Sequence, residues 1–233
     1  MRTSVLVVGL GRFGSAAALE LMALGHEVLV VDIDAGQVNR IAPQVTHAVE
    51  LDAADVASLK SIGAADFAHA IVAITDPLET SIFATMALKS LGVQNVVAKA
   101  ASELHGAILQ KVGADRVIYP EREAGDRISH ILGVPDALDY LDVAPNFGVL
   151  KISPPAAFIG QTLSQLDLVG RFGLTAIALR RGDKVTVIPH REERILATDE
   201  LILLGRDDQL DDLGAEGGAQ PTDRPGSRTR SRS

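Results

Sequence analysis

The chain of 233 residues contains no cysteine and no tryptophan, and its aromatic side chains amount to six Phe and two Tyr. Without cysteine there is no disulfide, no thiolate nucleophile and no zinc–thiolate site. With aromatics at 3 % of the chain, the interior has to be built from Val, Leu, Ile and Ala, the composition of strands buried on both faces of a parallel sheet. No apolar run approaches the roughly 18 residues that a membrane span needs. The first strand begins within four residues of the N-terminus, which leaves no room for a signal peptide. The expectation is therefore a cytoplasmic chain with no direct membrane insertion. Basic residues are outnumbered, 22 Lys and Arg against 30 Asp and Glu, so the surface lacks the basic stripe that a nucleic-acid partner requires. Apolar residues also thin out toward the end. Residues 214–233 are rich in Gly, Pro, Ser and Arg and read as a disordered tail whose basic end, Arg228 to Arg232, stays solvated.

What is present begins with residues 4–8, Ser-Val-Leu-Val-Val, which read as a buried strand. They run into Gly9-Leu10-Gly11-Arg12-Phe13-Gly14 and then into a helix-forming stretch rich in Ala and Leu. In this setting Gly9 permits the tight turn, Gly11 lets backbone approach a phosphate, and Gly14 lets the helix pack close to the strand. The helix N-terminus offers unpaired amide donors to an anion. A second strand over residues 28–31 delivers Asp32, which follows Gly14 by 18 positions, close to where a ribose-binding acid is expected. A carboxylate there disfavours a 2′-phosphate, while Asp34 reads as a helix cap. Further strands are expected over residues 46–50, 70–74, 95–98 and 116–119, with helices over 35–41, 78–91 and 103–112 and a short one ending near Gly63. Along the helix of residues 78–91, the spacing of Ile82, Phe83, Met86 and Leu91 predicts core positions.

This alternation predicts an α/β fold, a doubly wound parallel sheet of the Rossmann kind, with ligands outside the carboxyl ends of the strands. The cofactor-binding set expected there is Gly9, Gly11, Arg12, Phe13, Gly14, Asp32, Ile33, Asp34, Asp52, Ala53, Thr75 and Lys99. Arg12, inside the glycine turn, suits a ligand with more phosphate charge than a dinucleotide, such as ADP or ATP. The nucleotide-binding domain is expected over residues 1–134, including a helix after Pro120. A smaller α+β domain follows over 135–213, with strands over 138–143, 149–152, 174–179, 184–188 and 201–204, a hairpin turn at Gly182-Asp183 and a short helix over 161–168.

Two classes of function compete. Hydride transfer needs a positioned acid or base in the second domain. The one histidine there, His190, sits in a charged, loop-like cluster, and the other five have no metal-ligand spacing. No catalytic residue is assigned. A binding module explains the chain better, with an NAD-dependent oxidoreductase or a free-standing NAD(H) sensor as the alternatives.

Three segments carry a family resemblance: residues 9–14, Val31-Asp32-Ile33-Asp34, and the Gly-Ala-Asp-Arg-Val-Ile-Tyr-Pro-Glu run over residues 113–121. With the small second domain, they make the chain similar, over residues 1–213, to the RCK (regulator of potassium conductance) subunits of bacterial Ktr and Trk potassium-uptake systems, the Ktr branch above all. The resemblance implies a gating subunit without catalysis, forming dimers and an octameric ring on the cytoplasmic face of a separate membrane potassium-pore subunit. It implies competition of ATP and ADP for the glycine site, and binding of NAD or NADH. By the same resemblance Arg12 reaches the terminal phosphate, Asp32 binds the ribose, Lys99 lies near the phosphates, and Glu121 helps to hold a divalent cation, Mg2+ or Ca2+, at the dimer interface. In many relatives the second domain binds cyclic di-AMP. The corresponding residues are Leu163, Leu166, Asp167, Leu168, Arg171 and Ile177, whereas Ala176 departs from the pattern, which has an asparagine there.

Overall fold

Successive residues of β1 (Ser4–Val8) face two different interiors. Leu6 and Val8 enter one apolar cluster, Val5 and Val7 another, as the two-residue period of a strand dictates. A strand buried on both faces must lie in the middle of a sheet covered on both sides. In this computed structural model, which describes residues 3–216, it does. β1 pairs in parallel with β2 (Glu27–Asp32) and β4 (His69–Val72). With β3 (His47–Glu50), β5 (Asn95–Lys99) and β6 (Arg116–Ile118), the six-stranded order is β3-β2-β1-β4-β5-β6. Helices α1 (Arg12–Ala23) and α2 (Ala35–Ile41) supply Ala18, Val38 and Ile41 to the Val5/Val7 face. The other face is covered by α3 (Val56–Ser61), α4 (Leu78–Ser90) and α5 (Glu103–Lys111), which bring Leu59, Leu88 and Leu109. The winding reverses between β1 and β4, so a crevice opens at their carboxyl ends. The doubly wound fold is the one expected.

One detail of that core differs from the spacing argument. α4 buries Ser81, Ala84, Thr85, Ala87 and Leu88, while Phe83 and Met86 are 48 % and 47 % exposed. The small residues let the helix lie close to the sheet, with the Thr85 hydroxyl donating to the Ser81 carbonyl, and the large side chains are left outside.

The chain divides into two compact units between Glu121 and Arg122. The sequence reading set the boundary after residue 134, with all of α6 (Pro120–Gly133) in the first domain. In the structure most of α6 belongs to the second unit, where Ile131 packs on the core and Arg127 pairs with Asp139 at 2.7 Å. That unit is built on β7 (Ala137–Ala144), β8 (Phe147–Ile152), β9 (Thr175–Arg181), β10 (Lys184–Val187) and β11 (Asp199–Arg206). They form an antiparallel sheet of order β10-β9-β11-β8-β7. The helix expected over residues 161–168 is two short helices, α7 (Leu163–Leu166) and α8 (Leu168–Phe172). Asp167 separates them with a left-handed φ of 45° and accepts the Gly170 amide. A further helix, α9 (Asp207–Glu216), was not expected; it buries Leu210 and Leu213 and takes in the first residues of the presumed tail. The rest of that tail, residues 217–233, lies outside the described residues.

An ion pair closes one end of the β9–β11 ladder in the second unit. Asp199 has a fully buried side chain that accepts from Arg181 Nε at 2.7 Å, from Arg181 Nη2 at 2.8 Å and from the Leu196 amide at 2.8 Å. The pair bridges directly opposed residues of β9 and β11, and hydrogen bonding from Arg181 holds the Asp199 carboxyl below its ordinary pKa. Replacing Asp199 by Ala leaves the Leu196 amide without its acceptor, while Arg181 keeps Glu193 at 3.0 Å, and a loss of about 1–3 kcal/mol is expected in urea unfolding. In the first unit His105 is 2 % exposed, and its Nδ1 accepts the Ala101 amide at 3.1 Å. Its Nε2 has no partner among the described residues, and burial pushes the imidazole pKa down. The unfolded chain, with a histidine pKa of about 6.5, then binds the proton more readily, so stability is complete above that pH and is lost as pH falls below it. Urea midpoints measured between pH 8 and 5 should show this slope, and His105→Gln should flatten it.

Candidate functional site

The crevice is shaped first by its glycines. Gly9 has a φ of +94°, and a side chain there would meet Ile74. A Cβ on Gly14 would lie 1.9 Å from the Gly9 carbonyl oxygen, so α1 begins closer to β1 than any other residue allows. Gly11 is different: apart from its own two chain neighbours, nothing lies within 4 Å of where its Cβ would stand. Its missing side chain makes room on the open side of the loop. Gly11 is also the N-cap of α1, with no side-chain cap and no acid in the first turn. The N-termini of α2, α3 and α5 are capped by Asp34, Asp55 and Ser102, and α4, which has no side-chain cap either, carries Glu79 in its first turn. α1 therefore keeps its positive end for an outside anion.

Asp32 ends β2 and ties this loop in place. Its Oδ2 accepts the Leu10 amide at 2.5 Å and its Oδ1 accepts the Asp34 amide at 2.9 Å. Each oxygen accepts one bond here and keeps further acceptor capacity, which a diol ligand can use. The crevice is a cleft of about 380 Å³ that brings together Gly9, Gly11, Asp32, Ile33, Asp52, Ala53 and Thr75. Its remaining wall, Ala73 to Pro77 with Thr80, comes from the segment after β4. The sequence reading took Thr75-Asp76-Pro77 as a helix start, and that signal already marked a strand end on the ligand side of the sheet. The titratable side chains lining the cleft are Asp32, Asp52 and Asp76.

Five expected residues stand apart from the cleft. Gly14 serves packing, and Asp34 is occupied as the α2 cap, accepting the Gly36 amide at 2.7 Å. Arg12 lines an adjoining hollow of about 320 Å³ between α1 and α2, which meets the cleft at Gly11. Lys99, 8 % exposed at the end of β5, donates to Glu121 Oε1 at 2.5 Å and lies 5.8 Å from the ring centre of Phe13. The hydrogen bond from Lys99 holds the Glu121 carboxyl below its ordinary pKa. The phosphate-side base and the metal-side acid of the sequence reading are thus partners of each other. Among the described residues no three His, Asp or Glu side chains cluster to hold a metal ion. One copy of the chain, with Glu121 already engaged by an ammonium, does not fit a divalent cation.

In the second unit, Leu163, Asp167 and Leu168 line a hollow of about 490 Å³ that also includes Ala176. Leu166, expected with them, is fully buried in the core. Ile177 does not line the hollow, and Arg171 faces a different one, its guanidinium 4.9 Å from the ring centre of Phe172. Pairs of residues on one short helix diverge when an αL residue breaks it, and here Asp167 does so. The cation in the hollow is Arg191, which reaches Ser164 Oγ at 3.2 Å. Sequence reasoning treated that loop as solvated surface, and nothing in its local pattern says otherwise.

Against known proteins, residues 5–120 match the TrkA-N domain and residues 149–216 the TrkA-C domain. The chain is 38 % identical to Ktr system potassium uptake protein C of Bacillus subtilis, over 88 % of this chain and 93 % of that protein. It is 33 % identical to Ktr system potassium uptake protein A of the same organism, over 91 % and 95 %. The fold is that of the GsuK RCK domain, with a TM-score of 0.65 at 21 % identity, covering 95 % of this chain and 49 % of that one. Among the described residues no helix is long and apolar enough to cross a membrane. With its glycine-loop cleft, its two matched domains and near full-length kinship to both proteins, the chain belongs to the family of the Ktr system potassium uptake proteins.

Proposed function

We propose that the chain is the nucleotide-binding gating subunit of a potassium-uptake system, acting on a separate membrane pore protein from the cytoplasmic side and performing no catalysis of its own. The observation that carries this is the cleft: a diol-accepting Asp32 fixed against an uncapped helix N-terminus, with Gly11 open between them. Kinship to two potassium uptake proteins over most of the chain supports the transport role. ATP and ADP compete for the cleft, and NAD or NADH fits the same glycine loop. A ligand shifts the assembly between two shapes only by the difference in its affinity for them. Arg12 carries that difference for ATP against ADP.

The working unit is a homo-oligomer, dimers assembled into an octameric ring. Phe83 and Met86 on α4, and Leu104 on α5, are exposed apolar groups that a second copy covers. A divalent cation, Mg2+ or Ca2+, at Glu121 draws its remaining ligands from another copy and competes with Lys99 for the carboxylate. Cyclic di-AMP occupies the hollow of the second unit, where Arg191 takes the part that the resemblance gave to Arg171, and Ala176 leaves one base contact unmade.

Two outcomes test the reading. Gly11→Ala places a methyl group in open space, so it should cost less than about 1 kcal/mol of stability. The same variant should weaken ADP and ATP about tenfold in titration calorimetry, the equivalent of 1.4 kcal/mol. Arg12→Ala should leave ADP affinity close to wild type and weaken ATP selectively. Equal losses for the two nucleotides would remove Arg12 from the discriminating role.

A further inference from the structure

The turn that leads the chain out of β5 after Lys99 is held by a buried histidine. Only Ala100, Ala101 and the cap residue Ser102 separate Lys99 from α5. The Ala100 amide donates to the Ile118 carbonyl of β6 at 2.9 Å, and the Ala101 amide donates to His105 Nδ1 at 3.1 Å. Ala101 is exposed and His105 is buried, so an imidazole in the interior fastens a surface turn. A backbone amide can only donate, so Nδ1 is bare and the ring hydrogen sits on Nε2. A proton added to this ring goes to Nδ1, where it meets the Ala101 N–H and removes the bond. It also puts a charge where there is little water to solvate it. The titratable groups closest along the chain and in packing are Lys99 before the turn, Glu103 within it, and Tyr119, which lies against Gly106. None of these charges shifts the proton affinity of His105; burial alone lowers it.

We propose that His105 is a proton-operated latch on this turn: neutral, it holds Ala101 and with it the position of Lys99, and protonated, it lets the turn open. The consequence for ligands rests on the nucleotide reading above, whereas the latch itself rests on the hydrogen bonds of the turn. With the turn open the imidazole meets water and takes a proton below about pH 6.5, the ordinary range of a histidine. With the turn closed it stays neutral. Opening is therefore driven by acid below that pH and is indifferent to pH above it. A nucleotide that needs Lys99 in place binds the closed turn. Nucleotide and proton then oppose each other, and each weakens the other by the same factor. Acidification thus acts on the nucleotide site from behind, through a residue that touches no ligand.

The experiment is hydrogen exchange of the full chain between pH 7.5 and 5.5, read by mass spectrometry with fragmentation to single residues. Protection is taken relative to the intrinsic exchange rate at each pH, and the buried Leu6 amide of β1 reports global unfolding. The expected result is protection of Ala100 and Ala101 that lies below that of Leu6 at every pH and falls about tenfold per pH unit below 6.5. In His105→Asn, whose side-chain oxygen can accept the Ala101 amide but cannot titrate, that fall should vanish. Saturation with ADP at a hundred times its dissociation constant should raise the protection of Ala101 about a hundredfold at pH 5.5. The wild-type comparison with Leu6 needs no variant: equal protection means that the turn opens only with the whole unit, and it overturns the latch. A fall that survives in His105→Asn, or that spares Ala100, overturns it as well. Bound ADP that leaves Ala101 unprotected breaks the link to the nucleotide site. If ADP does not bind at all while the fall with pH remains and requires His105, the nucleotide reading fails and the latch stands.

Discussion

The carboxylate of Asp32 fastens two pieces of backbone to one another, the glycine loop through the Leu10 amide and the turn into α2 through the Asp34 amide. Its position is set by β2, which is buried from Val28 to Val31 and leaves no freedom at its end. The loop is set in turn by Gly14, whose contact with the Gly9 carbonyl draws α1 onto the strand. Remove the carboxylate and two amides lose their acceptor together, at the point where the ligand must arrive. A site whose donors and acceptors are already held in place loses little further freedom when a ligand binds, and that is how a cleft with few polar groups can still discriminate. The same two contacts also tie the start of α1 to the start of α2.

Sequence reasoning reached the cleft because strands buried on both faces and glycine turns are local, periodic signals. The residues of the cleft wall that it named are either the last residue of a strand, as Asp32 is, or within three positions beyond a strand end, which fixes their height on the sheet without any knowledge of packing. It failed where the answer depends on what a side chain meets across the fold. Lys99 and Glu121 were assigned to different ligands, yet they lie on adjoining strand and helix ends and neutralise each other. Nothing in the spacing of 22 positions between them announces that pairing. Phe83 and Met86 kept a helical period but belong to the outer face, because α4 packs through Ala and Ser on the sheet side. Leu166 and Arg171 left the presumed second site for a local reason, the left-handed turn at Asp167, which an Asp tolerates but does not require. Arg191 could not be singled out at all: an arginine on a charged loop looks solvated until the opposite wall is known.

The Lys99–Glu121 pair joins these threads. Lys99 ends β5 beside Phe13 of the glycine loop, and Glu121 lies in the first turn of α6, the helix that continues into the second unit. A nearly buried ammonium needs a counter-charge, and in this arrangement its counter-charge is the start of that helix. An anion at Lys99 would compete with Glu121, and a cation at Glu121 would compete with Lys99. Either event changes what holds the first turn of α6 without altering a single core contact. Within the first unit, this ion pair ties the end of β5, beside Phe13, to the first turn of the connecting helix.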